Sequence, residues 1–309
     1  MKGLFRNRAR LLVPAACLLA LFASAMANSS ALWRDDDGNH HRPLPAGSRV
    51  IALGPNLVEV LFEVGAGSQL VGVSDYADFP PAARALTRVA AHNSVNYELI
   101  SSLEPDLIVV WKTGFGEIAI EKLRRLGFNV FVSEPEVLDD IATLMESLGS
   151  ILGRVEEGRV AASGFRDRVR NLEDTYREKE AISVFCQVWD EPMQTLNGDH
   201  VVSAVLELCG GENVFASLPM KAPRVGIEAV LAANPDVIMA SGPNGVRPVW
   251  LDDWRRWSEL AAVKHEQLVF VDPDILVRHS PRILDGATEV CAILDRARIQ
   301  KNAAVAGDG

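Results

Sequence analysis

Residues 155–179 read VEEGRVAASGFRDRVRNLEDTYREK, and the organisation of the chain follows from them. Phe165, Val169, Leu172 and Tyr176 recur at i, i+4, i+7 and i+11, one apolar stripe of a 3.6-residue period on an otherwise charged stretch. Continuous helix over this length would span roughly 37 Å, about the width of a domain. Gly158 and Gly164 lie inside it, and each costs about 1 kcal/mol against alanine, so packing must hold this helix rather than propensity.

Two similar segments flank the rod. ELISSLEPDLIVV runs from Glu98 to Val110, and EAVLAANPDVIMA runs from Glu228 to Ala240. Glu98, Pro105, Asp106 and Ile108 map onto Glu228, Pro235, Asp236 and Ile238 with one offset of 130. The expected fold is therefore α/β: two Rossmann-like lobes with mainly parallel sheets, joined by a single long interlobe helix.

Outside the rod, short β-branched runs alternate with helical stretches and glycine-bearing turns, the pattern of parallel sheets. The expected divisions are a signal peptide over 1–27, a flexible leader over 28–48, an N-terminal lobe over 49–154 and the interlobe helix over 155–179. A C-terminal lobe over 180–300 and a disordered tail over 301–309 complete the chain. In parallel α/β sheets, ligands sit beyond the carboxyl ends of the strands. Here those ends carry Asn56, Tyr76, Phe79, His92 and Trp111 in the first lobe, and Trp189, Asp274 and Arg278 in the second. Two lobes joined by one helix make a cleft, and a cleft between lobes is the default ligand site.

Met1 to Ala27 has basic residues, then an apolar run from Leu11 to Phe22, then Ala25-Met26-Ala27, the order of a secretory signal cut after Ala27. The apolar run falls short of the roughly 20 residues a membrane helix needs. Cys17 follows Pro14-Ala15-Ala16, a poor lipoprotein signal. Four of the 31 Lys and Arg and none of the 41 acids lie in this segment, so removing it leaves 27 bases against 41 acids, net −14. That balance argues against nucleic acid, whose binding needs clustered Lys and Arg. It fits a soluble exported protein.

Cys186, Cys209 and Cys291 remain after cleavage. Cys209 and Cys291 each follow an amphipathic helical stretch, whereas Cys186 lies in the strand-like ISVFCQVW, so the first two are paired here. Three buried thiols are the alternative. Closing so long a loop is worth about 4–5 kcal/mol in the chain-entropy view. His40-His41 lack carboxylate or cysteine spacing of a metal site and read as a solvated pair, so no metal is assigned. No Gly-x-Ser-x-Gly elbow, phosphate loop, HExxH or Cys-x-x-Cys occurs in the sequence. The loops supply aromatic faces and polar edges instead, which suit holding a ligand.

RVIALGPNLVEVLFEVGAGSQLVGVSDYADFPP (49–81), NYELISSLEPDLIVVW (96–111), LELCGGENVF (206–215) and VRHSPR (277–282) resemble periplasmic cobalamin (vitamin B12)-binding proteins of ABC importers, within the helical-backbone (class III) substrate-binding family. The likeness covers nearly all of Arg49 to Leu294. It implies a corrinoid carrier with no catalytic cofactor, in which the ligand lies between the lobes and is delivered to a membrane permease dimer. It further implies that Glu98 and Glu228 dock to arginines of that permease, and it supports the Cys209–Cys291 disulfide. Tyr76, Trp111, Asp274 and Arg278 match the family's ligand contacts, and Asn56 falls where a small residue is usual. His92 and Ala222 stand where the family has tryptophans, which points to a wider pocket and to corrinoids such as a cobinamide. As a loop residue His92 reads as a hydrogen-bonding group rather than a metal ligand. A haem or ferric-siderophore carrier of the same class is the alternative reading, and an exported enzyme the second.

Overall fold

The alternation read from the sequence builds two sheets and one connecting helix in the computed structural model, which describes residues 32–91, 94–242 and 245–307. The expected signal peptide and its cleavage site lie outside these residues. A short hairpin comes first, β1 (Trp33–Arg34) against β2 (His40–His41). The first lobe then runs β3 (Val50–Leu53), α1 (Pro55–Glu63), β4 (Leu70–Ser74), β5 (Arg88–Ala91), β6 (Ser94–Val95) and α2 (Tyr97–Ser102). It closes with β7 (Leu107–Trp111), α3 (Lys112–Arg125), β8 (Val130–Ser133) and α4 (Leu138–Ile151). Its sheet has the order β6-β5-β4-β3-β7-β8, parallel except at β5–β6.

The rod is α5 (Val155–Tyr176), ending slightly before the expected Lys179. Beyond it lie β9 (Ile182–Gln187), α6 (Val201–Leu208), β10 (Gly211–Asn213), α7 (Ile227–Ala233) and β11 (Val237–Ala240). The second lobe ends with α8 (Ala261–Lys264), β12 (Leu268–Phe270), α9 (Pro273–Leu276) and α10 (Ile283–Gly307). Its sheet is wholly parallel, in the order β10-β9-β11-β12.

The 130-residue repeat is a repeat of backbone detail. Glu104 and Asn234 both take left-handed φ, 46° and 43°, as α2 and α7 give way to the strands that follow. The aspartate two residues on then ties down the neighbouring strand. Asp106 Oδ2 accepts from Arg49 N at 2.7 Å, and Asp236 Oδ2 accepts from Ser183 N at 3.0 Å. In register, Arg49 immediately precedes the Val50 that pairs with Leu107, and Ser183 precedes the Val184 that pairs with Val237. Each lobe thus starts its central strand pair the same way.

What holds the glycine-bearing rod is a close crossing with α4. A Cβ on Gly158 would fall 2.7 Å from Met145 O and 3.1 Å from the Gly149 Cα, and one on Gly149 would fall 2.8 Å from the Gly158 Cα. The two glycines let the backbones touch. Arg166 reaches back from α5 to Asp139 and Glu146 of α4 at 2.6 Å each, while Arg168 reaches Asp285 on α10 at 2.8 Å. A single apolar cluster runs from Val50 and Leu57 through Met145, Phe165 and Leu206 to Ile283 and Leu294, so α5 is packed along both lobes.

Three expectations change. The leader is built into the first lobe from residue 32: Trp33 packs on the core, Asp36 N donates to Val132 O, and Asp35 Oδ2 accepts from Val132 N. His41 is not solvated but 6 % exposed, with Nε2 3.2 Å from Asp35 Oδ2, because the hairpin folds its acids and this ring under itself. The tail from Lys301 continues α10 to Gly307, and Lys301 reaches Asp236 at 3.1 Å. Cys209 and Cys291 form the disulfide, with sulfurs 1.99 Å apart, and Cys186 is a buried free thiol.

The two rod glycines are expected to respond oppositely to alanine. Gly158→Ala should destabilise by about 1–3 kcal/mol, since a Cβ there overpacks the α4 crossing. Gly164→Ala meets no atom within 4 Å and should stabilise by up to about 1 kcal/mol. Urea unfolding of both variants reads the signs, and a stabilised Gly158→Ala would refute the close-crossing account.

Candidate functional site

The first-lobe strands β3, β4 and β7 end together, and Ser74 and Trp111, the last residues of β4 and β7, with Pro55 just after β3, open onto a cavity of about 310 Å³ also lined by Tyr76, Thr113 and Phe115. Tyr76 has φ 63°, unusual for a residue with a side chain, and the residue is 70 % exposed. Trp111 closes β7 and is half-buried. Gly54 turns the chain between β3 and α1 with φ 146°, and a Cβ there would fall 2.7 Å from Asn56 Oδ1 and 3.0 Å from the Trp111 Cβ. Only glycine admits this approach of turn, Asn56 and Trp111.

Asn56 itself is 2 % exposed and is not among the cavity's lining residues. Its Oδ1 and Nδ2, with Trp111 Nε1 and His279 Nδ1, are buried without a protein partner among the described residues. Unpaired buried polar atoms cost about 1–3 kcal/mol each, and sites where they collect are where structure has yielded to function. His92 lies outside the described residues. Trp189, at the second-lobe strand ends, is 48 % exposed, and its Nε1 donates to Glu191 O at 3.2 Å.

Asp274 and Arg278 stand on the second lobe, on and just beyond α9, and form an ion pair of 2.7 Å. Arg278 also reaches across to the first lobe, with Nη1 3.0 Å from both Glu59 Oε1 and Asp78 Oδ1. Its side chain is only 12 % exposed, so the guanidinium is engaged mainly by protein carboxylates. Burial, with Asp78 and Asp272 nearby, holds the Asp274 carboxyl above its ordinary range despite Arg278 and Arg282.

The centre of this crossing is Glu59, which sequence reading passed over. Its side chain is 2 % exposed, yet it accepts from Arg278, from Arg282 at 2.6 and 3.0 Å, and from Ser280 Oγ at 2.6 Å. The available signal was its place in PNLVEVLFE, an acid inside an apolar helix, opposite a VRHSPR loop with two arginines. The Arg282 guanidinium also lies 3.9 Å over the Phe79 ring.

Beside this cluster, His279 packs edgewise on Trp111 at 5.8 Å and lies 5.6 Å from His200, whose Nδ1 accepts from Val202 N as the cap of α6. Burial pushes the His200 imidazole down to about 3, helped by His279 and Lys221. Burial lowers His279 as well, with Lys221 adding to it and Glu134 opposing. Burial alone pushes the Cys186 thiol up to about 12, so it is no nucleophile. The arrangement offers aromatic faces, fixed dipoles and paired charges.

With this geometry in hand, comparison with known proteins places the chain. The periplasmic binding protein family matches residues 50–275, and the chain belongs to it. It is similar to the vitamin B12-binding protein of Vibrio cholerae, 40 % identical over 263 residues, 84 % of this chain and 93 % of the relative. The Yersinia pestis vitamin B12-binding protein is 34 % identical over 81 % of this chain and 87 % of its own. The crystal structure of the periplasmic vitamin B12-binding protein BtuF of Vibrio cholerae superposes with a TM-score of 0.75 at 38 % identity, covering 82 % of this chain and 99 % of that one. The haem-binding protein RhuT of Roseiflexus, TM-score 0.72 at 21 % identity over 81 % and 99 %, shares the fold.

Two outcomes are expected of the crossing. Glu59→Ala removes the carboxylate that pairs Arg282 at 2.6 Å and one of the three that engage Arg278, and should cost about 3–5 kcal/mol in denaturant unfolding. His200 and His279 stay neutral in the folded chain below the ordinary histidine value of about 6.5. The unfolded chain therefore binds more protons below about pH 6.5, and the histidine contribution, complete above that pH, is lost on acidification towards about pH 3. His200→Asn keeps a helix cap and should flatten the slope of Tm between about pH 6.5 and 5. An unaltered slope would show that these rings do not set it.

Proposed function

We propose that this protein captures cobalamin or a related corrinoid between its lobes and delivers it to an ABC importer. The observation that carries the reading is the cavity where β3, β4 and β7 end, with the aromatic side chains Tyr76, Trp111 and Phe115 among its walls. The similarity to vitamin B12-binding proteins at 40 % identity favours a corrinoid as the occupant. Tyr76 and Trp111 hold the ring system by stacking, while Asn56 and Gly54 position Trp111 from behind. Asp274 and Arg278 form the second-lobe edge of the cleft. Nanomolar affinity requires about 12 kcal/mol, within reach of a large rigid ligand in a preformed cleft. No bond is made or broken in this role. The signal peptide exports the chain and is cut after Ala27, and the mature protein works in the periplasm as a monomer.

Glu98 and Glu228 serve the delivery step. Each is the second residue of its helix, α2 or α7, and each is exposed. A carboxylate there also favours the helix macrodipole, worth about 0.3–1 kcal/mol, so local structure and docking ask for the same residue. One acidic knob per lobe suits a two-fold permease presenting arginines.

Calorimetric titration with cyanocobalamin, cobinamide and haemin tests the ligand. Tight cyanocobalamin or cobinamide binding, weakened at least roughly tenfold by Trp111→Ala, is the expected result. Haemin binding with a Soret band, and none with either corrinoid, would overturn it. Glu98→Ala combined with Glu228→Ala should spare corrinoid affinity while lowering stimulation of importer ATPase, and unchanged stimulation refutes the docking role.

A further inference from the structure

Besides the cleft, the second lobe carries a separate cavity of about 270 Å³ whose walls are Trp250, Trp257, Met193, Asp190, Glu191 and Asp253. It is preformed. Trp250, Trp254 and Trp257 share the 3₁₀ helix Val249–Arg256 and the residue that ends it, and Trp254 fixes that helix from below. Trp254 is buried, its Nε1 donates to Gln187 Oε1 at 2.8 Å, and its ring meets Phe185 edge to face at 5.8 Å.

Three carboxylates line the cavity against one guanidinium, that of Arg256, which is bound within its own turn to Asp253 Oδ1 at 3.3 Å and to Asp253 O at 2.9 Å. Asp190 and Glu191 have no ion pair among the described residues. Burial and the neighbouring Glu191 and Asp253 raise the Asp190 pKa, as expected for an excess of negative charge. Indole faces and carboxylates together are the surroundings that favour a cation.

Position decides which cation. Ile227 lines the cavity and is 40 % exposed, and it immediately precedes Glu228 at the start of α7. The equivalent residue of the first lobe, 130 positions earlier, is Tyr97, next to Glu98. There the ring is already covered by the chain's own Lys122, with Nζ 3.9 Å from the centroid. The two knobs match, but their surroundings differ: one carries a cation, and the other borders a cavity suited to one.

We propose that this cavity receives an arginine or lysine side chain of the membrane partner beside the Glu228 contact, so that docking is stronger on the second lobe than on the first. The proposal rests on the docking role given to Glu228. It makes the seating of a pseudo-symmetric protein on a two-fold partner unequal, with the second lobe as the anchor and the first lobe held by Glu98 alone.

The test measures binding of the mature protein to the importer's membrane domain in nanodiscs, at low and high salt. Asp190→Asn with Glu191→Gln should weaken association about fivefold or more and reduce its salt dependence. Trp250→Phe, which keeps the wall but weakens the ring face, should weaken it about twofold. Corrinoid affinity should be unchanged in both, which also reports that they fold. Association of both variants equal to the parent, with Glu228→Ala impaired, overturns the cavity's role and leaves the docking reading standing. If Glu228→Ala and Glu98→Ala are also without effect, the docking reading falls and this proposal falls with it.

Discussion

A carboxylate removed from water must find positive charge and hydrogen-bond donors, and Glu59 finds all of them on the other lobe. Arg278, Arg282 and Ser280 converge on its two oxygens from the segment between α9 and α10. Neither side satisfies itself alone: the first lobe would bury an unpaired acid, and the second would hold two adjacent guanidiniums. The relative placement of the lobes is thereby fixed at one edge of the cleft. Phe79 under Arg282 and Trp111 against His279 extend the same contact with apolar surface.

The helix α5 also sets the spacing, touching α1 of the first lobe and α10 of the second. Its approach to α4 through Gly149 and Gly158, and its ion pairs to both lobes, make it part of a continuous core rather than a free tether. Helix and ion cluster together define a cleft of settled width, which lowers the ordering cost of holding a rigid, bulky ligand. The strand-end cavity of the first lobe belongs to that cleft. The tryptophan-walled cavity of the second lets two lobes of similar backbone present different faces outward.

Much of this was legible in the sequence. The 130-residue repeat foretold two lobes because it encodes backbone requirements: a left-handed residue after a helix, then an aspartate that receives the neighbouring strand's N–H. The α5 stripe and the disulfide were also readable. Tyr76 and Trp111 stand out in the sequence because strand ends in parallel sheets are where ligands go, and both line the cavity there. What was hidden depends on pairing across the lobes. Glu59 is one acid in an apolar helix, and nothing local says that two arginines more than 200 residues away complete it. Nothing local to Arg278 announces its contacts with Glu59 and Asp78, for the same reason. The leader misled because its polarity suggested solvent, whereas its acids are satisfied by Lys112, Arg124 and the backbone of β8.

That leader has a further bearing. β8 is the outermost strand of its sheet, and its free side is where another extended chain would add. The Asp35 and Asp36 contacts to Val132 and Glu134 occupy that side with a turn whose acids and buried His41 leave no room for continued pairing. A chain begun at Val50, where the family match starts, would keep both lobes and the cleft, yet expose a β-branched strand edge. Its failing would be in solubility rather than in recognition, for the hairpin protects the lone molecule from its own kind.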